Sequence, residues 1–177
     1  MSCKQHATPQ ETAQTIDITA VEFSDLASVI LRDGHRLRFR ARGASMRPFL
    51  RDGDIVEVVP ATAERLRRGY VALYLSDDRR PILHRVLAKS ASAGGVVLQM
   101  RGDSVCGPPE LVPAERVLGL ATCHIRGQAR RRLDGIGSRM LGLACATAQT
   151  WRWYLVRAVG RVRRTLRPAT PSRTRTG

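Results

Sequence analysis

The chain has 177 residues, of which 43% are hydrophobic and 25% are charged; this suits one globular domain with extensions and excludes two large domains. With 15 Gly, 9 Pro and no internal repeat, the composition also excludes fibrous, solenoid and wholly disordered proteins. The 30 Lys and Arg residues outnumber the 15 Asp and Glu residues and give a net charge of +15, so we expect a partner with an anionic surface.

The positive charge is concentrated near the end of the chain. Residues 127–177 hold 12 Arg and one acidic residue, a net charge of +11, whereas residues 1–126 hold 18 basic and 14 acidic residues, a net charge of +4. An excess confined to one region predicts a basic appendage rather than a basic fold. The four cysteines are scattered without a C-x-x-C pair, and the start of the chain has no apolar secretory segment. We therefore expect no disulfide, no metal and no cofactor.

The first predicted elements are a flexible leader, a short helix and a strand. Residues 1–20 carry few large apolar groups and are expected to be flexible. Ser24 is predicted to be the N-cap of a helix whose apolar residues recur at helical spacing as far as Gly34. The strict alternation of residues 36–42 then predicts a half-buried strand with a basic outer side.

Short β-rich runs separated by turn residues continue to residue 126. Together with the first strand they predict a mainly β domain over residues 21–126, built as a small coiled antiparallel sheet or partial barrel. A domain of this length buries a core without metals or disulfides. The further predicted strands are Ile55–Val59, Tyr70–Leu75, Ile82–Ala88, Val96–Met100 and Val117–Ile125.

After Gly127 the pattern becomes helical, and residues 127–166 are predicted to form a basic amphipathic helical extension. Projection at about 100° per residue places an apolar stripe on one side of positions 139–166 and arginines on the other. The longest uncharged stretch, Met140–Trp151, has 12 residues, too few for a membrane span of about 20 apolar residues. The stripe consists of Leu141, Ala144, Ala148, Trp151, Leu155, Val159, Val162 and Leu166, opposite Arg139, Arg157, Arg161 and Arg164.

Three interpretations of this extension stay open at the level of sequence. It lies on an anionic membrane surface, packs its apolar stripe on the β domain, or contacts nucleic acid. Tryptophan and arginine on opposite sides favour the membrane surface, whereas the lack of a nucleic-acid reader motif makes nucleic acid unlikely as a partner. Residues 167–177 are predicted to be a disordered tail. We expect a cytoplasmic protein that is peripheral on the membrane.

The chemically informative segment is Gly43–Asp54, in which Ser45 follows two small residues at the predicted end of a strand. Glycine lets the backbone approach a substrate closely, and Pro48 stiffens the exit. An isolated loop serine is more often a turn or cap residue than a nucleophile, but this serine is accompanied by further motifs in order. They are G-x-S-M-x-P at Gly43–Pro48, G-D at Gly53-Asp54, G-Y-V at Gly69–Val71, H-R-V at His84–Val86, R-G-D at Arg101–Asp103 and V-x-G at Val117–Gly119.

This series of motifs resembles the S24/S26 peptidases, the superfamily of signal peptidases and LexA-like self-cleaving repressors. The resemblance spans roughly residues 37–126 and implies a β-rich peptidase fold in which Ser45 attacks a peptide carbonyl. The position of the general base carries His84, as in the archaeal and endoplasmic-reticulum-type signal peptidases, rather than the lysine of the bacterial and LexA-like enzymes. A histidine suits this task because its unperturbed pKa of about 6.5 leaves much of it neutral at neutral pH.

Lys89 is the alternative base, because it is the only lysine in the β domain. It lies five positions after His84, so in an unbulged strand the two side chains face opposite sides. Only one of them can then reach Ser45, and we favour His84.

The resemblance leaves the third member of a catalytic triad open. Asp103 is the first candidate to orient the imidazole and stabilise its cationic form. The endoplasmic-reticulum-type family often carries a second aspartate a few residues further on, where this chain has Pro109 followed by Glu110. Glu110 is therefore the second candidate, and the absence of a triad is the third possibility.

The residues around the nucleophile are expected to contact the substrate. Signal peptidases often place a serine of the oxyanion hole two residues before the nucleophile, and this chain has Gly43 there. Only backbone N–H groups, such as that of Ser45, then remain to stabilise the developing charge. Gly43, Met46 and Pro48 are expected to border the substrate cleft, whereas core packing is the favoured role of Phe49.

The resulting hypothesis is a signal-peptidase-like serine endopeptidase that cleaves an extended peptide or preprotein bound at a strand edge. One alternative is a non-catalytic peptide- or membrane-binding module on the same fold, which the presence of both Ser45 and His84 disfavours. The other is a LexA-like self-cleaving protein, which is disfavoured because no helix-turn-helix is evident before Ser45.

Overall fold

The computed structural model describes residues 19–92 and 94–148. A 3₁₀ turn, Ala114–Arg116, precedes the seventh strand, and residues 136–148 are helical; they are called the 136–148 helix below. The predicted leader up to residue 18, the remainder of the predicted amphipathic stripe and the predicted tail lie outside the described residues. The other elements are α1 (Ala20–Arg32), β1 (Leu37–Arg40), β2 (Ile55–Pro60), β3 (Val71–Leu75), β4 (Pro81–Ser92), β5 (Gly95–Arg101), β6 (Glu110–Pro113), β7 (Val117–Arg126) and β8 (Ala129–Arg132).

Helix α1 begins earlier than predicted. Its N-cap is Thr19, whose hydroxyl accepts a hydrogen bond from the Glu22 N–H while the Glu22 carboxylate accepts one from the Thr19 N–H. This reciprocal capping box satisfies two backbone donors at once. Ser24 is buried inside the helix and donates its hydroxyl to the Val21 carbonyl. The prediction of Ser24 as the N-cap was wrong because the stronger capping pair lies five residues upstream.

The described strands form one antiparallel sheet in the order β1-β2-β7-β3-β4-β5-β6, with β8 paired to the end of β7. The predicted mainly β class is confirmed, and the sheet is not closed into a barrel. The six predicted strands are present, but β6 and β8 were not predicted. Because β8 (Ala-Arg-Arg-Arg) returns onto β7, the prediction of helix directly after Gly127 was wrong.

The sheet has a hydrophobic core on each face. Alternation along β3 directs Val71 and Leu73 to one core, which α1 covers, and Ala72 and Tyr74 to the other. We call the side of Val71 the outer face and the side of Tyr74 the inner face. The Tyr74 hydroxyl in β3 donates to Glu110 in β6, although β4 and β5 separate these strands. The sheet therefore curls around its inner face.

The 136–148 helix packs through the side opposite to the predicted apolar stripe. Gly142 and Ala146 are buried, whereas the predicted stripe residues Leu141 and Ala144 are exposed. On the packed side, the Arg139 guanidinium lies over a tyrosine ring at 4.6 Å. The interpretation in which the apolar stripe packs on the β domain is therefore wrong for the described residues.

Within the described part of the chain, no helix is long and apolar enough to cross a membrane.

Candidate active site

Ser45 lies in the loop between β1 and β2 and is half-buried. Its carbonyl accepts a hydrogen bond of 2.9 Å from the Ser104 N–H, and the Ser104 hydroxyl donates to the Ala44 carbonyl at 2.7 Å. A Cβ at Gly102 would lie 2.5 Å from the Ser45 carbonyl oxygen and 3.0 Å from the Ser45 Cβ. Glycine at position 102 therefore allows the Ser45 loop to pack directly against the end of β5.

The register of β4 and β5 relates this contact to His84. Arg85 pairs with Arg101, so continuation of the register by one residue sets Gly102 opposite His84. Opposite residues of an antiparallel pair point to the same face, with Cβ atoms about 4.5–5.5 Å apart. Ser45 thus occupies the space that a side chain at position 102 would fill, on the face to which His84 points.

The His84 imidazole belongs to a short polar chain on the inner face. Its Nδ1 lies 3.0 Å from the Tyr74 hydroxyl oxygen, and that hydroxyl donates to Oε2 of Glu110 at 2.6 Å. A tyrosine hydroxyl has one hydrogen. Because this hydrogen is used on the carboxylate, the hydroxyl oxygen accepts from the Nδ1–H of the imidazole, and Nε2 is left unprotonated in the neutral ring.

The electrostatic surroundings favour a neutral imidazole. Burial lowers the pKa of His84 below its ordinary value, and the negative charge of Glu110 opposes this shift. Burial and the hydrogen bond to Glu110 raise the pKa of the Tyr74 hydroxyl. At neutral pH the imidazole is therefore uncharged and the phenol keeps its proton, which is the protonation state that a general base at Nε2 requires.

Asp103 has a different partner from the one predicted. Its two carboxylate oxygens accept hydrogen bonds from Nε and Nη2 of Arg85, each 2.7 Å long, and both side chains are completely buried. Consecutive residues of β4 point to opposite faces, so Arg85 holds this carboxylate on the outer face while His84 points to the inner one. Asp103 therefore pairs with Arg85 instead of orienting His84.

Glu110, the second candidate, reaches His84 through Tyr74. Tyr74 was not predicted as a site residue, because it lies in the apolar run of β3, Val-Ala-Leu-Tyr-Leu, and belongs to no motif. One signal was available: a tyrosine in a buried strand needs a hydrogen-bond partner for its hydroxyl. The partner itself could not be found that way, since it lies 36 residues away in β6.

Lys89 lies on the inner face, contrary to the prediction that it and His84 face opposite sides. A bulge after Val86 shifts the alternation, so that Lys89 pairs with Leu98, a residue of the inner core. The Lys89 Nζ donates to the Glu64 carbonyl at 2.7 Å. Lys89 also lies roughly 16 Å further along β4 than His84, at about 3.3 Å per residue. At this separation the two side chains cannot both act as the base for Ser45.

The residues predicted to border the substrate divide into exposed and buried positions. Gly43 and Pro48 are exposed, and Gly43 has a φ of 96°, in the left-handed region that favours glycine. Met46 is 4% exposed and belongs to the outer core, so its predicted place in the cleft is corrected to core packing. Phe49 is half-buried beneath the Arg85 guanidinium, 4.8 Å from its ring centroid.

The backbone next to the nucleophile offers a hydrogen-bond donor. Within residues 19–92 and 94–148, the Ser45 N–H donates to no other backbone group. A free N–H at the nucleophile can stabilise the oxyanion that forms when a serine attacks a carbonyl. The exposed backbone of Gly43 lies two residues away, without the hydroxyl that signal peptidases often carry there.

Comparison of the chain with models of protein families, with curated proteins and with solved structures gives no match. Among the described residues, no three His, Cys, Asp or Glu side chains gather into a metal-binding group.

Proposed function

We propose that the chain is a serine endopeptidase of the signal-peptidase type, with Ser45 as the nucleophile and His84 as the general base. The proposal rests on the contact of Ser45 with Gly102 and on the register of β4 and β5, whose continuation by one residue sets Gly102 opposite His84. A serine hydroxyl is a weak nucleophile until a nearby base accepts its proton. The neutral imidazole with an unprotonated Nε2 provides such a base.

The chemistry follows from these groups. The Ser45 Oγ attacks the peptide carbonyl carbon while Nε2 of His84 takes the hydroxyl proton, and the Ser45 N–H stabilises the negative charge on the carbonyl oxygen. His84 then returns the proton to the leaving amine, which breaks the C–N bond and leaves an acyl-enzyme. Water, deprotonated by the same imidazole, hydrolyses the ester and restores the Ser45 hydroxyl.

An extended peptide or preprotein segment is the substrate class that this geometry fits. β1 is an edge strand of the described sheet, and the chain runs from β1 directly into the loop of Ser45. A peptide that pairs with this edge as an added strand gains main-chain hydrogen bonds. It also approaches Ser45 along the exposed backbone of Gly43.

An anionic membrane surface is the partner that we propose for the 136–148 helix and the basic segment after it. Ile136, Met140 and Leu141 are 77%, 64% and 60% exposed, and the only charged residue of the helix, Arg139, lies on its packed side. Residues 127–177 carry a net charge of +11. An apolar helix surface combined with arginines is typical of helices that lie in the plane of a membrane rich in anionic lipid.

The peptidase is tested by mass spectrometry of new peptide termini in a diverse peptide pool. We expect the wild type to produce a consistent set of termini, and Ser45→Ala and His84→Ala to lower their rate of formation by about 10²–10⁴-fold. The matched controls are Ser90→Ala and His35→Ala, which alter an exposed serine and an exposed histidine and are expected to retain the wild-type rate.

The same samples separate the alternatives. If all the proteins are folded and none of them cuts a peptide, the peptidase is contradicted and the binding module is favoured. Cutting that survives in His84→Ala but is lost in Lys89→Ala would identify Lys89 as the base, and cutting that survives in both would exclude both bases. A LexA-like protein would shorten itself at a rate independent of its own concentration, and only while Ser45 is present.

Membrane binding is tested by flotation with vesicles of phosphatidylcholine alone or mixed with phosphatidylserine. We expect binding to the anionic vesicles only, weakened by salt and by Leu141→Glu. Leu111→Glu is the matched control, because Leu111 is 64% exposed on β6, outside the helix. Equal loss in both variants, or equal binding to neutral vesicles, would contradict the assigned surface.

A further inference from the structure

We infer that Tyr74 and Glu110 form a positioning relay that holds the His84 imidazole in one orientation and one tautomer, an inference that rests on the peptidase function proposed above. The three side chains come from β3, β4 and β6 and meet on the inner face. Glu110 Oε2 lies 2.6 Å from the Tyr74 hydroxyl, which lies 3.0 Å from Nδ1 of His84. Tyr74 and Glu110 are thus positioning residues that act through the imidazole.

The direction of the hydrogen bonds is fixed by the number of hydrogens. If the Tyr74 hydroxyl donated to Nδ1, no hydrogen would stand between the phenol oxygen and the Glu110 carboxylate, two electron-rich oxygens 2.6 Å apart. The consistent arrangement runs from Nδ1–H to the phenol oxygen and from the phenol O–H to the carboxylate. Nε2 then keeps its lone pair.

The tautomer matters because Nδ1 is bonded to Tyr74, so Nε2 is the nitrogen left to accept the Ser45 proton, and it can do so only when it is unprotonated. An imidazole without a partner at Nδ1 can place its hydrogen on either nitrogen and can rotate. In serine proteases with a triad, loss of the correct tautomer costs about 10⁴-fold in kcat. Here the neutral Tyr74 phenol takes the place of the triad acid next to the His84 imidazole. It holds the ring in the same way, but the negative charge lies one residue further away, on Glu110.

The burial of Tyr74 on the inner face restricts the His84 imidazole. Tyr74 has no exposed surface, and its ring centroid lies 6.0 Å from that of His84. Of the described titratable groups, Tyr74 in β3 and Glu110 in β6 are those that act on the imidazole. The buried Tyr74 hydroxyl uses both its donor and its acceptor. Rotation of Tyr74 would break these hydrogen bonds, so the hydroxyl stays at Nδ1 of His84.

The experiment is nitrogen NMR of the His84 side chain in the full-length chain, with the signal assigned by its loss in His84→Gln. For the wild type we expect, above the pKa of His84, a protonated Nδ1 and an unprotonated Nε2. Tyr74→Phe should give a mixture of both tautomers and lower kcat by about 10–10²-fold with an unchanged KM, because the relay does not touch the peptide. Tyr70→Phe, which removes a hydroxyl outside the relay, is expected to match the wild type.

Glu110→Gln provides a second readout that does not depend on the folding of Tyr74→Phe. The carboxylate raises the pKa of His84 against the larger effect of burial, so removal of its charge should lower that pKa further. The acid limb of kcat against pH should move to lower pH in parallel. An unchanged titration of His84 in Glu110→Gln would overturn the relay.

The tautomer is observed without substrate, so failure of the relay and failure of the peptidase function are distinguishable. A protonated Nε2 in the wild type, or an unchanged spectrum in Tyr74→Phe, would overturn the relay whether or not peptides are cut. The expected spectra from a protein that cuts no peptide would support the hydrogen-bond chain and overturn its catalytic purpose.

Discussion

His84 and Arg85 are neighbours in β4, yet they belong to regions of opposite character. Arg85 is completely buried on the outer face, where its guanidinium donates to both oxygens of Asp103 and to the Gly69 carbonyl. His84 is half-buried on the inner face, with Nδ1 held by Tyr74. A buried charge must be fully partnered because an unpaired one costs several kcal/mol, whereas a neutral imidazole can keep a lone pair open for chemistry. Strand alternation alone thus separates a structural ion pair from a candidate base.

The outer region is also the one that the 136–148 helix covers. A Cβ at Gly142 would lie 2.1 Å from Cζ of Arg85, so the helix backbone comes into direct contact with the guanidinium. Arg101, the partner of Arg85 in β5, donates to the Ala146 carbonyl of the same helix. The helix therefore excludes water from the Arg85–Asp103 pair, and this strengthens an ion pair that is complete and penalises one that is broken.

The largest expected effect comes from breaking the outer pair. Arg85→Gln leaves the buried Asp103 carboxylate without its partner and should lower the free energy of unfolding by about 3–5 kcal/mol. The matched variant His84→Gln, one residue away on the inner face, should change it by about 1 kcal/mol or less. Urea unfolding followed by circular dichroism measures both. Equal losses in the two variants would show that the faces do not differ as described.

A smaller effect is expected from two glycines of the 136–148 helix. Gly142→Ala places a methyl group against the Arg85 guanidinium, each nitrogen of which donates a hydrogen bond, and should destabilise the protein by about 1–3 kcal/mol. Gly137→Ala adds the same group where nothing lies within 4 Å and should stabilise the helix by about 0.5–1 kcal/mol. Thermal unfolding of the two variants measures both effects. A gain in stability from Gly142→Ala would contradict the packing of the 136–148 helix against Arg85.

The smallest effect is the dependence of stability on pH. The pKa of His84 is lower in the folded protein than its unfolded value of about 6.5. As the pH falls below about 6.5, the unfolded chain therefore binds the proton first, and the free energy of unfolding decreases. His84→Gln should remove part of this decrease between pH about 7.5 and about 5.5, while His124, whose pKa is also lowered by burial, continues to contribute. An identical decrease in wild type and variant would mean that the imidazole is not buried as described.

Elements with a strong local pattern could be predicted from the sequence, and weak ones could not. The strict alternation around β1 and the β-branched residues of β2 predict strands, because each side chain of a strand faces either the core or the solvent. β6 is only four residues long and ends in proline, and β8 has three consecutive arginines, so neither shows an apolar period. β6 and β8 form by pairing with β5 and β7, so they depend on the tertiary structure and not on a local sequence pattern.

The candidate site divides in the same way. Ser45 and His84 were predicted from motifs, but the partners of both residues were not. Asp103 was only the first candidate to orient the imidazole, ahead of Glu110 or no triad, because sequence order says nothing about which face an acid occupies. The bulge after Val86 placed Lys89 on an unexpected face for the same reason, since a bulge is a property of strand pairing.

The sequence by itself determined the mainly β class, the position of the charge and two candidate reactive residues, because periodicity, composition and short motifs are local properties of the chain. Only the tertiary structure decided that Gly102 receives Ser45, that Asp103 belongs to Arg85, and that Tyr74 links Glu110 to His84. These contacts depend on strand register and on the curl of the sheet around its inner face. Both are set by the packing of residues that are far apart in the chain.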